Sequence, residues 1–178
     1  MAAPGPLTGY IPVLLYTLKQ LERIIEKGET YANEKGIKHE DMLNYRMAPD
    51  MAALTYQLQA CCNTIVWFID RVGELEHVVI EDNEDTFERL YMRIAHTVSY
   101  VQNAKFDKDA FDAKAERPFV MKTAKAGDYA FDTTREYVLY FVLSNLHFHT
   151  ATAYCLLRQQ GVPLGALDYI GNKLEKVA

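Results

Sequence analysis

Val13, Leu14, Leu18, Leu21, Ile24 and Ile25 recur at intervals of three and four, with Lys19, Glu22, Arg23, Glu26 and Lys27 between them. That period places the apolar side chains on one face of a helix. It predicts a first helix over about 8–34, with Pro12 tolerated in its first turn. Gly28 offers an early stop and Gly36 a later one. Residues 37–47 read as a connection in which His39-Glu40-Asp41 is exposed. Pro49 suits the start of a second helix, and Asp50 then lies near its positive end. Leu54, Leu58, Cys61, Cys62, Ile65, Phe68, Ile69 and Val72 carry this helix to Gly73. After a connection over 74–82, the acidic run Glu81-Asp82-Asn83-Glu84-Asp85 leads into a third helix, as the macrodipole favours. Phe87, Leu90, Tyr91, Ile94, Val98 and Val101 form its apolar stripe.

The pattern then changes. Residues 117–123 and Tyr129-Ala130-Phe131 flank Ala126-Gly127-Asp128, which predicts a small β-hairpin. Thr133 with Glu136 makes a capping box that opens a fourth helix running to about Gln160. Gly161 stops it and Pro163 lies beyond. Its first half, 137–143, is apolar or aromatic all round, so it is either central or covered by a partner chain. Residues 162–178 read as a tail with Leu164, Leu167, Tyr169 and Ile170 free to dock, and residues 1–8 as a flexible lead. Four long helices with short connections predict one all-α domain over 1–178: a four-helix bundle with a small hairpin between helices three and four.

Length and charge narrow the function classes. A chain of 178 residues can bury a proper core. Its 19 basic and 24 acidic side chains give a net charge of −5, which argues against nucleic-acid binding. No apolar run is long enough to span a membrane. Three cysteines without CxxC spacing suit a reduced, cytoplasmic interior.

Chemistry gathers on helix four. Asn145 and His149 are four apart and share a face. His147 lies about 200° round the helix from His149, so only one of the two histidines faces a given interior point. His149 reads either as a general acid or base or as a core histidine satisfied by one partner. Asp50 either holds it in one tautomer or simply meets free N–H groups in a first helical turn. Tyr45, Tyr56, Tyr140, Tyr154 and Trp67 would line a cavity in the bundle, or fill its core. His39, His77 and His96 read as exposed, and Cys62 as an inert buried thiol.

Arg46-Met47-Ala48-Pro49-Asp50-Met51, the run from Tyr137 to His149, and Ala153-Tyr154-Cys155-Leu156-Leu157-Arg158 with Gly161-Val162 resemble a bacterial and fungal family, the domain of unknown function DUF1993. The resemblance spans about Tyr10 to Gly171. It implies the DinB/YfiT-like superfamily of four-helix bundles. Metal-binding members of that superfamily hold a divalent ion with one histidine on the second helix and an H-x-x-x-H pair on the fourth. Here Asn145 stands where the first of the pair would be, and the second helix carries no histidine. A divalent metal, if held, would fall to Asp50, Asn145 and His149, a weaker donor set than three imidazoles.

Three functions are compatible with these residues. The first is an enzyme without a cofactor, an isomerase, cyclase or dehydratase, acting on an apolar aromatic or polyketide-like substrate in a bundle cavity. The resemblance adds secondary metabolism as a setting. His149 and Asp50 would move a proton and Asn145 would orient the substrate, helped by tyrosines. The second is a metal-dependent transferase or hydrolase. The third is a non-catalytic binding protein. In each case a homodimer is expected, through helix four.

Overall fold

The computed structural model describes residues 5–123 and 126–171. A short 3-10 turn, Leu7–Tyr10, precedes α1 (Ile11–Lys35). Next come α2 (His39–Leu43), α3 (Leu54–Gly73), α4 (Phe87–Asn103) and α5 (Lys108–Asp112). The strands β1 (Phe119–Met121) and β2 (Tyr129–Phe131) follow. The fourth long helical run is continuous but not uniform: α6 (Thr134–Glu136), a π-helix (Tyr137–Leu143), then α7 (Ser144–Gln159). α8 (Ala166–Ile170) closes the described chain. α3 packs most extensively on α7 and next on α4, and α1 joins both α7 and α4. The result is the all-α bundle with a two-stranded antiparallel hairpin that the pattern predicts.

The apolar stripes become the core. Leu18, Leu21 and Ile25 of α1, Leu58, Ile65 and Phe68 of α3, Leu90 and Ile94 of α4, and Leu146 and Leu156 of α7 are all buried. Gly28 does not end α1, which runs on to Lys35. A Cβ there would stand 2.8 Å from Leu157 Cδ2, so the missing side chain is what lets α7 approach. α1 ends instead at Gly36, in the left-handed conformation at φ 66°.

Several expected boundaries move. The second long helix begins at Leu54, not at Pro49, because Met51 N–H closes a turn onto Ala48 O and Ala53 is extended. Asp50 is therefore in no first helical turn; it stands exposed in the preceding turn. The connection before it contains α2, and His39 is half-buried, with its ring edge-on to Phe87 at 5.0 Å. Leu7 is fully buried, and Thr8 donates through both N–H and Oγ1 to the Asp112 carboxylate. The lead expected over 1–8 is thus anchored from Leu7 on; residues 1–4 lie outside the described residues. At the other end Leu164 is buried and Tyr169 packs on the core, but Leu167 and Ile170 stay exposed. The remainder of the expected tail, 172–178, lies outside the described residues.

The hairpin has the expected strands, paired Phe119 to Phe131 and Met121 to Tyr129, with Gly127 at φ 84° in the connection. Residues 124–125 of that connection lie outside the described ones. Its two phenylalanines clasp Tyr137: Phe119 stacks at 4.3 Å and Phe131 meets it edge-on at 5.5 Å. The π-helix begins at this residue. Within it the spacing is five residues, and Ser144 Oγ donates to Leu139 O. An apolar run without polar breaks carries no period, so α- and π-helix are indistinguishable in the sequence there. Thr133 accepts from Glu136 N–H as the capping box requires, but the Glu136 carboxylate takes the N–H of Asp132 rather than that of Thr133. Thr133→Ala is expected to cost about 1 kcal/mol, read as a melting temperature lower by about 2–4 °C.

Candidate functional site

The acidic run does more than meet a helix dipole. Arg93 on α4 is buried, and its guanidinium donates to Glu84 Oε1 at 2.8 Å, Asp82 Oδ1 at 2.6 Å, Asn63 Oδ1 at 2.6 Å and Glu81 O at 3.1 Å. Gln59 of α3 holds the other Glu84 oxygen at 2.9 Å. This buried charge network straps residues 81–84 across α3 and α4. One cation meets two carboxylates, Glu84 nearly buried and Asp82 44% exposed, and the network serves packing. Burial pushes the neighbouring Cys62 thiol up to about 11, despite the pull of Thr97 and Arg93, and pushes Cys61 up as well. Both thiols are poor nucleophiles.

The seam between α3 and α7 carries free chemistry. Helical geometry turns His149 inward, where it is 9% exposed, and His147 outward to the Tyr169 hydroxyl. His149 Nδ1 lies 2.7 Å from Gln57 Oε1. The Gln57 amide nitrogen donates to the carbonyls of Ala52 and Ala53, at 3.1 and 3.4 Å. Carbonyls only accept, so the amide has one orientation and its oxygen must face the ring. Nδ1 therefore carries the proton and Nε2 the lone pair. Burial also lowers the His149 pKa, which favours the neutral ring.

One α-helical turn away the same logic repeats. Thr64 Oγ1 donates its single proton to Ala60 O at 2.7 Å. It therefore accepts from Asn145, whose Nδ2 lies 2.7 Å away. The Asn145 oxygen is left over. Among the described residues the enclosed polar atoms without a partner are Gln20 Nε2 and Arg93 Nε. Neither His149 Nε2 nor Asn145 Oδ1 is among these, and neither is bonded among the described residues, so neither is fully enclosed. Rings flank them. Tyr56 meets His149 edge-on at 5.8 Å and Phe148 at 5.1 Å, and both aromatics are about half exposed.

The predicted site residues divide accordingly. Asn145, His149 and Tyr56 share this seam. Asp50 is exposed in its turn and does not pair with His149; the place expected for it is taken by Gln57, one turn into α3, which the sequence reading did not select. A glutamine three residues into a helix, facing a histidine across an apolar seam, was the available signal. Tyr154 donates to Leu164 O and ties down the C-terminal segment. Tyr140 is exposed, Tyr45 packs on the core, and Trp67 lies under the Arg71 guanidinium at 5.2 Å. Among the described residues, surface clefts of about 160 to 540 Å³ open elsewhere, lined by neither His149 nor Asn145.

A divalent ion does not fit the seam. One imidazole nitrogen and one amide oxygen remain there, Asp50 is bonded to neither residue, and no three His, Cys, Asp or Glu side chains converge among the described residues.

A second histidine has a partner that the sequence reading missed. Buried Asp70 receives His77 Nδ1 at 2.8 Å on one oxygen and the Tyr100 hydroxyl on the other. A cleft of about 160 Å³ lined by Trp67, Asp70, Arg71, Leu75 and His77 adjoins this pair. His77 is exposed, as expected from its place in a connection. Its dyad depends on α3 turning back through Glu74 in the left-handed conformation, which no local pattern announces.

No helix among the described residues is long and apolar enough to cross a membrane. No curated protein matches the chain. The crystal structure of a DinB family member protein from Shewanella denitrificans is similar over 94% of this chain and 93% of that one, with 29% identity and a TM-score of 0.80. That likeness agrees with a DinB-like bundle. The model of the domain of unknown function DUF1993 matches residues 8–170, nearly the whole length, and the chain belongs to that family.

Proposed function

We propose that this chain is a small-molecule enzyme in which His149 acts as a neutral general base, taking a proton from an apolar aromatic substrate without a metal or organic cofactor. The observation that carries the reading is the chain of fixed hydrogen bonds from the Ala52 and Ala53 carbonyls through Gln57 to His149. It holds the ring in one tautomer and leaves the basic nitrogen open. Isomerisation, cyclisation or dehydration all begin with such a proton transfer. The substrate lies along the α3–α7 seam against Tyr56 and Phe148, with Asn145 Oδ1 orienting it. A cytoplasmic homodimer belongs to the same proposal, supported by exposed Leu139 and Tyr140 on the fourth helical run.

The sign of the pH dependence follows from the lowered His149 pKa. A histidine that is harder to protonate when folded contributes stability above its unfolded pKa, and that stability is lost as pH falls below about 6.5. Turnover rests on the neutral ring, so it is present at neutral pH and lost as pH falls through the His149 pKa. Nitrogen-15 NMR of the ring through a pH titration tests both points. The expected spectrum shows a protonated Nδ1, an unprotonated Nε2 and a midpoint below 6.5. A midpoint above 6.5, or a proton on Nε2, removes the base.

A second reading is favoured by the Asp70–His77 pair and its cleft. There the buried carboxylate would orient His77 for the same task. Turnover that survives His149→Gln and falls with His77→Gln would select it.

A further inference from the structure

The two open atoms in the α3–α7 seam are of one kind. Ala60 O sets the Thr64 hydroxyl, which sets the Asn145 amide, so Oδ1 is the atom left open. Ala52 O and Ala53 O set Gln57, which sets His149, so Nε2 is open. Backbone carbonyls cannot become donors, so neither orientation can reverse without leaving two acceptors face to face. The seam therefore offers two hydrogen-bond acceptors on side chains that leave one helix face at i and i+4, and neither atom is replaceable by an N–H at neutral pH. The rings of Tyr56 and Phe148 flank His149. A bound carboxylate or phosphate would set its own acceptors against these two, and no cationic side chain is bonded to Asn145 or His149 among the described residues to offset them. A bound ammonium would lose hydration, and no carboxylate, Asp50 included, is bonded to Asn145 or His149 among the described residues to receive it.

We propose that the ligand of this seam is an uncharged aromatic compound carrying two O–H donors on one ring, one for Asn145 Oδ1 and one for His149 Nε2. The inference rests on the proposed function for its site and adds the hydrogen-bonding class that the site selects. Recognition is by polarity of the hydrogen bond, not by shape alone, because a seam that only accepts rejects a ligand that only accepts. The O–H on His149 is also the proton within reach of the base.

The test uses the full chain and three simple probes: 1,3-dihydroxybenzene, its dimethyl ether, and benzoate. Side-chain NMR signals of Asn145 and His149 are followed during titration. The dihydroxy compound is expected to shift both signals saturably. The ether, equal in ring and lacking both donors, is expected to bind at least about fivefold more weakly, and benzoate more weakly still. Asn145→Leu should weaken the dihydroxy compound about 3- to 10-fold and leave the ether unchanged; Thr64 keeps its bond to Ala60 in that variant, so the fold is retained. Equal binding of the ether, tighter binding of benzoate, or no saturable shift at either residue overturns the proposal. Discrimination against the ether together with turnover indifferent to His149→Gln would uphold this inference and sink the catalytic reading. Turnover that needs His149 without any discrimination would do the reverse.

Discussion

Turnover is expected to fall about 10²- to 10⁴-fold when His149 is replaced by Gln, the range for removal of a positioned general base. Glutamine is close in size and keeps a donor for Gln57, so the substitution removes basicity and leaves the seam filled. The structural cost is at most that one hydrogen bond, about 0.5–1.5 kcal/mol, which thermal unfolding separates from the loss of rate. Gln57→Leu is the companion variant. It touches no substrate, yet it takes away the acceptor that keeps the proton on Nδ1. Its loss of rate should be smaller than that of His149→Gln, and the ring nitrogens should show a mixture of tautomers. A full rate in His149→Gln places the chemistry elsewhere, with the Asp70–His77 pair next in line.

Arg93→Met is expected to be the most destabilising single change outside the apolar core. The guanidinium is the one cation bonded to Glu84, Asp82, Asn63 and the Glu81 carbonyl. Glu84 is itself nearly buried, with 8% of its side chain exposed, so removing Arg93 strands a carboxylate that water cannot reach well. Breaking a buried pair in this way costs about 3–5 kcal/mol. At this chain length that corresponds to a melting temperature lower by roughly 6–20 °C. Adding Glu84→Gln to Arg93→Met should restore part of the loss, because the stranded charge is then gone. The coupling is measured by a double-mutant cycle in urea. An Arg93→Met protein within about 1 kcal/mol of the parent would mean that the network is slack in solution.

The contrast between Arg93 and Lys27 shows why burial, not distance, ranks such pairs. Lys27 and Asp168 are as close as the Arg93 contacts, yet Lys27 is half exposed and solvent screens the pair. The Arg93 pairs join segments that local sequence does not hold together, so their loss also releases the strap over 81–84.

What the amino-acid sequence determined by itself is everything carried by period and local chemistry. The three- and four-residue spacing of apolar positions specified the long helices, because one buried face of a helix repeats at 3.6 residues. Gly36, Gly161 and Thr133 marked helix ends through backbone conformation and one side-chain bond, both local. The i, i+4 relation of Asn145 and His149, and the divergence of His147 from His149, followed from helical geometry alone; which of the two histidines faces inward did not. The tertiary structure decided the rest. Asp50 lost its place to Gln57 because the start of α3 depends on a turn closed by Met51 and Ala48, and on which face α7 presents. The π-helix starts at Tyr137, the ring that the hairpin phenylalanines enclose, a contact between separate elements. The acidic run acquired Arg93, and Asp70 acquired His77, through contacts between separate elements. The polarity of the seam needed more still: two backbone carbonyl sets, each orienting an intermediate side chain, choose which atoms of Asn145 and His149 stay open. Such orientation is a property of neighbours in space, and spacing along the chain does not contain it.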